Sequence, residues 1–224
     1  MSILQDIDKA KHIIIEVDTD FLASASALYT YILRLHKKVS LICVSKEIDN
    51  RLSFLPWFDK IKSSGGSSAD LKVSLKMSSL ELYSLFEKNN IKLNQKMATS
   101  LYAGVLQETD GFTNNSVNGT IFAVAKQLIE SGAEYKTCNE FILKNNTLAS
   151  LRLKALMLQG MKLKDNATKA IMYISDDILK ATGATEKDCF LIMNEALYLP
   201  HVKEVLLLKS DEQDKILKKI EKEL

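Results

Sequence analysis

The sequence predicts an α/β protein, a doubly wound, mainly parallel sheet joined by a helix to a small α+β C-terminal domain. Four observations carry that expectation. His12 to Val17 is an apolar, β-branched run of the kind found in strands buried on both faces. The period then switches, and Leu22, Ala25, Leu28, Tyr29, Ile32 and Leu33 recur at helical spacing. A further strand pattern over Val39 to Val44 closes a βαβ unit. Far downstream, Ala170 to Lys209 reads as strand, helix, helix and strand, the pattern of a second, smaller layer.

In chain order, a short helical or irregular piece ending in LPWFD comes next. Lys62 to Ser68, KSSGGSS, then reads as a flexible loop by composition. Leu71 to Leu75 has the pattern of a strand and Ser79 to Lys88 that of a helix, for which Ser78 or Ser79 supplies the N-cap. Helical patterning returns over Asn94 to Gln107. Glu108 to Gly119, ETDGFTNNSVNG, is rich in turn formers, and the helix after it, Thr120 to Ser131, ends at Gly132. Helices over Tyr135 to Lys144 and Thr147 to Lys164 lead to strands at Ala170 to Ser175 and Val202 to Lys209. Between those strands lie helices near Asp177 to Ala181 and Thr185 to Glu195. The mixed-charge tail from Ser210 to Leu224 reads as a last helix, with Ile216, Leu217, Ile220 and Leu224 at helical spacing. The expected organisation is a domain over residues 1–150, a connecting helix over 151–166 and a small domain over 167–224.

Composition narrows the function classes. A chain of 224 residues that is 46% apolar can build one large or two small cores. A formal net charge of +2, from 30 basic against 28 acidic residues, gives no overall electrostatic footprint for nucleic acid or an anionic membrane. Cys43, Cys138 and Cys189 are far apart and lack CxxC spacing, so neither a disulfide framework nor a zinc site is expected, and a reducing cytoplasm fits. No segment approaches the roughly 20 apolar residues of a membrane helix, and the N-terminus has no apolar run of a leader, so a soluble, unprocessed protein is expected.

The residues with the most chemical content are Asp18 and Asp20, where the first strand runs into its helix. Two carboxylates brought into one small volume relieve their repulsion through a cation or a proton, which makes them a candidate metal pair. Alternatively, one of them caps the helix by accepting backbone N–H bonds at the positive end of its dipole, and cap preferences alone favour this second reading. Other features have blander readings. Lys144, Arg152, Lys154, Lys162, Lys164 and Lys169 against Asp165 can face a phosphate backbone but read by default as a solvated face. Trp57 and Phe58 can stack on a base, yet beside Phe54 and Leu55 they read as core. His12, His36 and His201 have no aspartate beside them and read as surface or satisfied positions.

Three segments carry a family resemblance. DTDFLASASALY has an Asp-x-Asp-x-x-x-Ser opening through Asp18, Asp20 and Ser24. LPWFDKIKSSGGSSADLKVSL leads into the next strand, and LYAGVLQETDGFTNNSVNGTIFAVAKQLIESGA places Glu108 after a tyrosine-glycine helix. With SLRLKALMLQGMKL as a connecting helix, residues 11–165 resemble the DHH family of phosphoesterases, in particular the two-domain bacterial members that hydrolyse short RNA oligonucleotides or cyclic dinucleotides. The resemblance implies a two-domain α/β fold, Mn²⁺ or Mg²⁺ as cofactor, and Asp18, Asp20 and Glu108 as metal ligands, with Asp110 close by.

The same comparison implies a degenerate member. The family histidine four residues before the first aspartate is Ile14 here, the aspartate expected at the next strand end is Lys76, and the Asp-His-His triplet is absent. The C-terminal domain also lacks the family's basic recognition segment and Gly-Gly-Gly-His loop. Three carboxylates can hold one loosely bound ion with several waters, whereas a two-metal phosphodiesterase needs ions about 3.5–4 Å apart and many more ligands. Lys76 is accordingly a candidate metal-replacing cation, its ammonium neutralising Asp18 and Asp20, or else a surface lysine. No cofactor is then expected, with Mn²⁺ or Mg²⁺ required by any residual activity. The function expected is that of an inactive, cytoplasmic binding protein with a protein partner or a second copy of itself. Nucleotide binding has no support from net charge. The alternative is a weak metal-dependent phosphodiesterase on short oligonucleotides or dinucleotides.

Overall fold

A computed structural model describes residues 3–46, 48–64, 68–144, 147–212 and 214–222. The chain divides into two compact units, Met1–Asn145 and Asn146–Leu224. The first opens on helix α1 (Ile3–Lys9), followed by strand β1 (His12–Val17), helix α2 (Leu22–Arg34) and strands β2 (Lys38–Cys43), β3 (Ile61–Lys62) and β4 (Leu71–Leu75). These four strands form one sheet in the order β3-β2-β1-β4, every pairing parallel. Helices α3 (Ser79–Lys88), α4 (Gln95–Glu108), α5 (Gly119–Glu130) and α6 (Tyr135–Leu143) complete the unit. Ile13, Ile15 and Val17 of β1 share one apolar core with residues from all six helices.

Helices α2 and α4 lie side by side because small residues line both. Ala23, Ala25 and Ala27 on one helix and Ala98, Ala103 and Gly104 on the other are buried or tightly packed, and buried serines complete the seam. Burying hydroxyls requires partners for them. Ser26 Oγ lies 3.0 Å from Ser100 Oγ and donates to the Pro56 carbonyl at 2.7 Å, while Thr30 accepts the indole N–H of Trp57 at 3.0 Å. Trp57 therefore belongs to the frame, in a left-handed backbone conformation, with its ring against Tyr29 and beneath the Lys96 ammonium at 3.9 Å.

Sequence patterning missed α1, because a seven-residue helix with only Leu4 and Ile7 buried carries too little periodicity. It is tied down from outside. Lys37 Nζ donates to the carbonyls of Ile7, Asp8 and Ala10 at 2.8, 2.6 and 2.9 Å, closing the helix end that its own backbone leaves unpaired. Replacing Lys37 with Met is expected to cost about 1.5 kcal/mol. Hydrogen exchange should show the loss as faster exchange confined to residues 3–9, and unchanged protection there would refute the clamp.

Of the expected Lys62 to Ser68 loop, residues 65–67 lie outside the described residues. Lys62 ends β3, and the Ser68 carbonyl meets the ring Nδ1 of His12 at 3.1 Å. Next to it, Asp70 accepts the backbone N–H groups of Lys11 and His12, both at 2.9 Å, which pins the start of β4 against the start of β1.

The second unit holds α7 (Leu148–Gln159), β5 (Lys162–Lys164), β6 (Lys169–Ile174), α8 (Asp176–Thr182), α9 (Glu186–Leu197), β7 (Glu204–Lys209) and β8 (Lys215–Glu221). Its sheet runs β5-β6-β7-β8, with β6 and β7 parallel and both outer pairings antiparallel. Ala170, Met172, Ile174, Val205 and Leu207 face the helices, in a core shared with Leu153, Met157, Ile192 and Met193.

Two expectations fail here for identifiable reasons. The helix expected over Thr147 to Lys164 stops at Gln159. Lys162–Lys164 instead pairs with β6 through a turn in which Asp165, Asn166 and Ala167 all adopt positive φ, a conformation Asp and Asn tolerate. The tail is a strand and not a helix. A bulge opposite Leu207 and Leu208 inserts one extra residue, so Leu217 and Ile220 both pack toward the core although they stand three positions apart. That odd spacing is what imitates a helix. Residues 213 and 223–224 of the expected helix lie outside the described residues.

Candidate functional site

In an open parallel sheet, ligands bind beyond the carboxyl ends of the strands where the strand order reverses direction. Here the chain moves outward from β1 to β2 and β3, then returns to add β4 on the far side of β1, so the switch point lies between β1 and β4. Val17 pairs with Leu75, which sets Asp18 and Lys76 as the next residues on those two neighbouring strands. On the other side, the Val44 N–H donates to the Val17 carbonyl at 3.0 Å and brings Ser45 to the same edge.

Neither aspartate caps α2. A 3-10 turn, Thr19–Phe21, stands between strand and helix, and the Phe21 N–H donates to the Asp18 carbonyl at 3.0 Å, so main chain does the work a side chain would do at a bare helix start. The cap reading is therefore overturned. Asp18 is exposed and receives only a long bond from the Ser45 hydroxyl, at 3.4 Å. Ser45 itself accepts the Thr19 N–H at 2.9 Å, and Thr19 Oγ1 accepts the Asp49 N–H at 3.2 Å, which fixes the turn carrying both carboxylates. Asp20 is exposed and has no side-chain partner among the described residues. Ser24, the third residue of the opening pattern, is buried, with Oγ within 2.8 Å of both the Phe21 and the Met77 carbonyls. It joins the first turn of α2 to the segment after β4.

Of the two readings of Lys76, ion pair or surface lysine, the structure leaves it exposed and without an ion pair to Asp18 or Asp20. An exposed ion pair gains little over two separately solvated charges, so register alone does not close one.

Glu108 departs furthest from its expected role. It is the last residue of α4, and its carboxylate accepts the backbone N–H of Ser79 and, at 3.4 Å, that of Leu80. These are the first two residues of α3, whose start is also closed by the Ser78–Glu81 capping box. Burial pushes the Glu108 carboxyl above the usual range, against the pull of those N–H groups toward ionisation. No group of three or more carboxylate, histidine or cysteine ligands that could hold a metal ion exists among the described residues. Among the described residues, Asp18, Asp20 and Glu108 are not brought together as one such group, and these three carboxylates are fewer than a two-metal centre requires.

Sequence reasoning missed Ser45 and Gly104. Gly104 lets α3 and α2 approach α4, since a Cβ there would meet Ser79 Cβ at 2.7 Å and Ala23 Cβ at 3.1 Å. A hollow of about 410 Å³ lies along α3, lined by Met77, Leu80, Glu81, Ser84, Leu85 and Lys88, and includes neither aspartate. No helix among the described residues is long and apolar enough to cross a membrane.

No protein-family model and no curated protein sequence matches the chain. Among solved structures, an exopolyphosphatase-related protein from Bacteroides fragilis matches with a TM-score of 0.78 at 16% identity, over 94% of this chain and 79% of that one. A protein described as a family II inorganic pyrophosphatase of Methanococcus jannaschii matches at a TM-score of 0.36 and 14% identity, over 88% and 83%, a likeness too slight to argue from. The first likeness shows the fold. That fold is a parallel α/β unit followed by a smaller mixed-sheet unit, the α/β class the sequence predicted.

Proposed function

We propose that this chain is a degenerate phosphoesterase-fold protein that binds without hydrolysing. In this reading it acts in a reducing cytoplasm and offers the carboxyl edge of its first sheet to a protein partner or a nucleotide. The observation that carries the reading is the commitment of Glu108 to the start of α3, which leaves Asp18 and Asp20 as the two acidic side chains at the switch point. Two exposed carboxylates hold a divalent cation weakly at best, because several charged ligands must converge to offset the loss of its water shell. The cysteines agree with a reducing compartment. Burial pushes Cys138 up to about 12 and Cys189 to about 11, so neither thiol is poised for redox chemistry.

A second reading has one specific observation in its favour. Asp20 is exposed and unpartnered among the described residues, free to meet a cation brought by a substrate phosphate. That reading is a weak Mn²⁺- or Mg²⁺-dependent phosphodiesterase on short oligonucleotides or dinucleotides. Calorimetric titration with Mn²⁺ and a cleavage assay on linear and cyclic dinucleotides separate the two. The binding reading expects no saturable Mn²⁺ heat in the micromolar range and no metal-dependent product. Mn²⁺-dependent cleavage that disappears in Asp20→Ala would replace it with the second.

A further inference from the structure

We infer that the helix-free face of the second unit's sheet is an interface between two copies of this chain, packed about a two-fold axis parallel to the strands. The inference is independent of what the carboxyl edge of the first unit does. Along β6 and β7, Ala170, Met172, Ile174, Val205 and Leu207 point into the core beneath the helices, so the alternate residues point away from it. Ile171, Tyr173 and Leu206, half-buried, Leu208, buried, and Ile216 occupy that other face and belong to neither apolar core. Ile216 is 59% exposed.

The charges on this face are ordered. One row crosses all four strands: Lys164 pairs in register with Lys169, Lys169 with Glu204, and Glu204 with Glu221. It reads basic, basic, acidic, acidic from one edge to the other. The next row is Lys162, Ile171, Leu206 and Lys219, and the one after it is Tyr173, Leu208 and Ile216. A two-fold axis parallel to the strands turns the sheet over and reverses the strand order while keeping each row level. Lys164 of one copy then faces Glu221 of the other, and Lys169 faces Glu204, so the row becomes four attractive pairs across the interface. Ile171 meets Leu206 in the row beside it, giving an apolar centre with a charged margin, the usual anatomy of a protein interface. Sheets packed this way keep their strands roughly aligned. Two like-charged pairs result, Lys162 of each copy opposite Lys219 of the other. Lys162 lies over the Tyr173 ring at 4.9 Å, and Lys219 sits 3.5 Å from Glu204 and 2.7 Å from Glu221, which blunts the repulsion.

A single-stranded nucleic acid is the competing occupant of an open sheet with an aromatic at its centre. The charge pattern disfavours it, since Glu204 and Glu221 on the same face repel a phosphate backbone and Lys162 covers the tyrosine ring. Four strands about 4.8 Å apart and some 17 Å long offer on the order of 350 Å² per copy, well below the roughly 800 Å² of a stable interface, so the dimer is reversible.

Sedimentation velocity over a concentration series tests the inference. The expected result is a concentration-dependent dimer. Lys164→Glu and Glu221→Lys should each weaken it about tenfold by setting like charges against each other. The double variant should recover most of the loss. Within one chain these two residues stand at opposite edges of the sheet, about 14 Å apart across three strand spacings, so nothing intramolecular would produce that rescue. Both side chains are exposed, and circular dichroism should show each variant folded. A protein that stays monomeric at every concentration overturns the inference, as does a dimer indifferent to both single changes or a double variant as weak as the singles. Binding of a single-stranded oligonucleotide by a monomer, lost in Lys164→Glu, would assign the face to nucleic acid instead.

Discussion

Gly104→Ala is expected to destabilise the first unit by roughly 3 kcal/mol, the upper range for overpacking one methyl into a filled seam. For a unit of this size, that is a fall in Tm of roughly 10 °C. The added Cβ would stand 2.7 Å from Ser79 Cβ, closer still to its hydroxyl, and 3.1 Å from Ala23 Cβ. Rotating the serine hydroxyl away does not relieve the contact with its Cβ. Nor can Ser79 retreat cheaply, because its N–H is held by Glu108 and Ser24 ties the neighbouring Met77 to α2. Replacing Ser79 with Gly in the same chain removes both offending atoms and should return more than half of the loss, a coupling that a thermal melt of the two singles and the double measures directly. If Gly104→Ala melts with the parent, the three helices are not packed as closely as described.

Glu108→Ala is expected to cost about 2–3 kcal/mol, because it strips acceptors from two backbone N–H groups at a part-buried helix start. Glu108→Gln keeps an oxygen in place and should cost well under 1 kcal/mol. The difference separates a capping role from a charge role. A pH profile carries the same information. Burial holds the folded-state pKa of Glu108 above its unfolded value, so the folded protein binds the extra proton more readily. The stability this contributes is fully present below the ordinary carboxylate range and is lost as pH rises through the raised folded value. Denaturant midpoints measured across that window should decline in the parent and flatten in Glu108→Gln. An equal decline in both would mean another group is responsible.

Much of the frame was legible because local chemistry and tertiary position agree in it. The switch from strand to helix period at Val17 to Leu22 set β1 and α2 to within a few residues, and a serine at 78 or 79 marked the start of α3, where Ser78 is the cap. Legibility failed where position is decided at long range. Nothing near Glu108 in sequence announces that it will close a helix beginning 29 residues earlier, so its place in a family-like pattern suggested a ligand. The turn Thr19–Phe21 replaces a side-chain cap with main chain, which no residue preference records. Lys76 shows the limit of register. The strand pairing puts it beside Asp18, but pairing fixes the backbone, and an exposed lysine is free to turn into water. Of the candidate pair, the sequence located the junction and the two carboxylates but neither the turn that carries them nor the hydroxyl of Ser45 that steadies it.

The bulge in β8 has a consequence beyond core packing. A sheet with two free margins is a template for open-ended growth, each chain lending its unpaired backbone to the next. This one resists at both margins. β5 is three residues long with lysine at either end, and β8 carries Lys215, Lys218 and Lys219 along a strand that the bulge twists out of line. Ladder-wise propagation into fibres is thereby discouraged, and any self-assembly is steered toward a closed pair that consumes its own contact surface and goes no further.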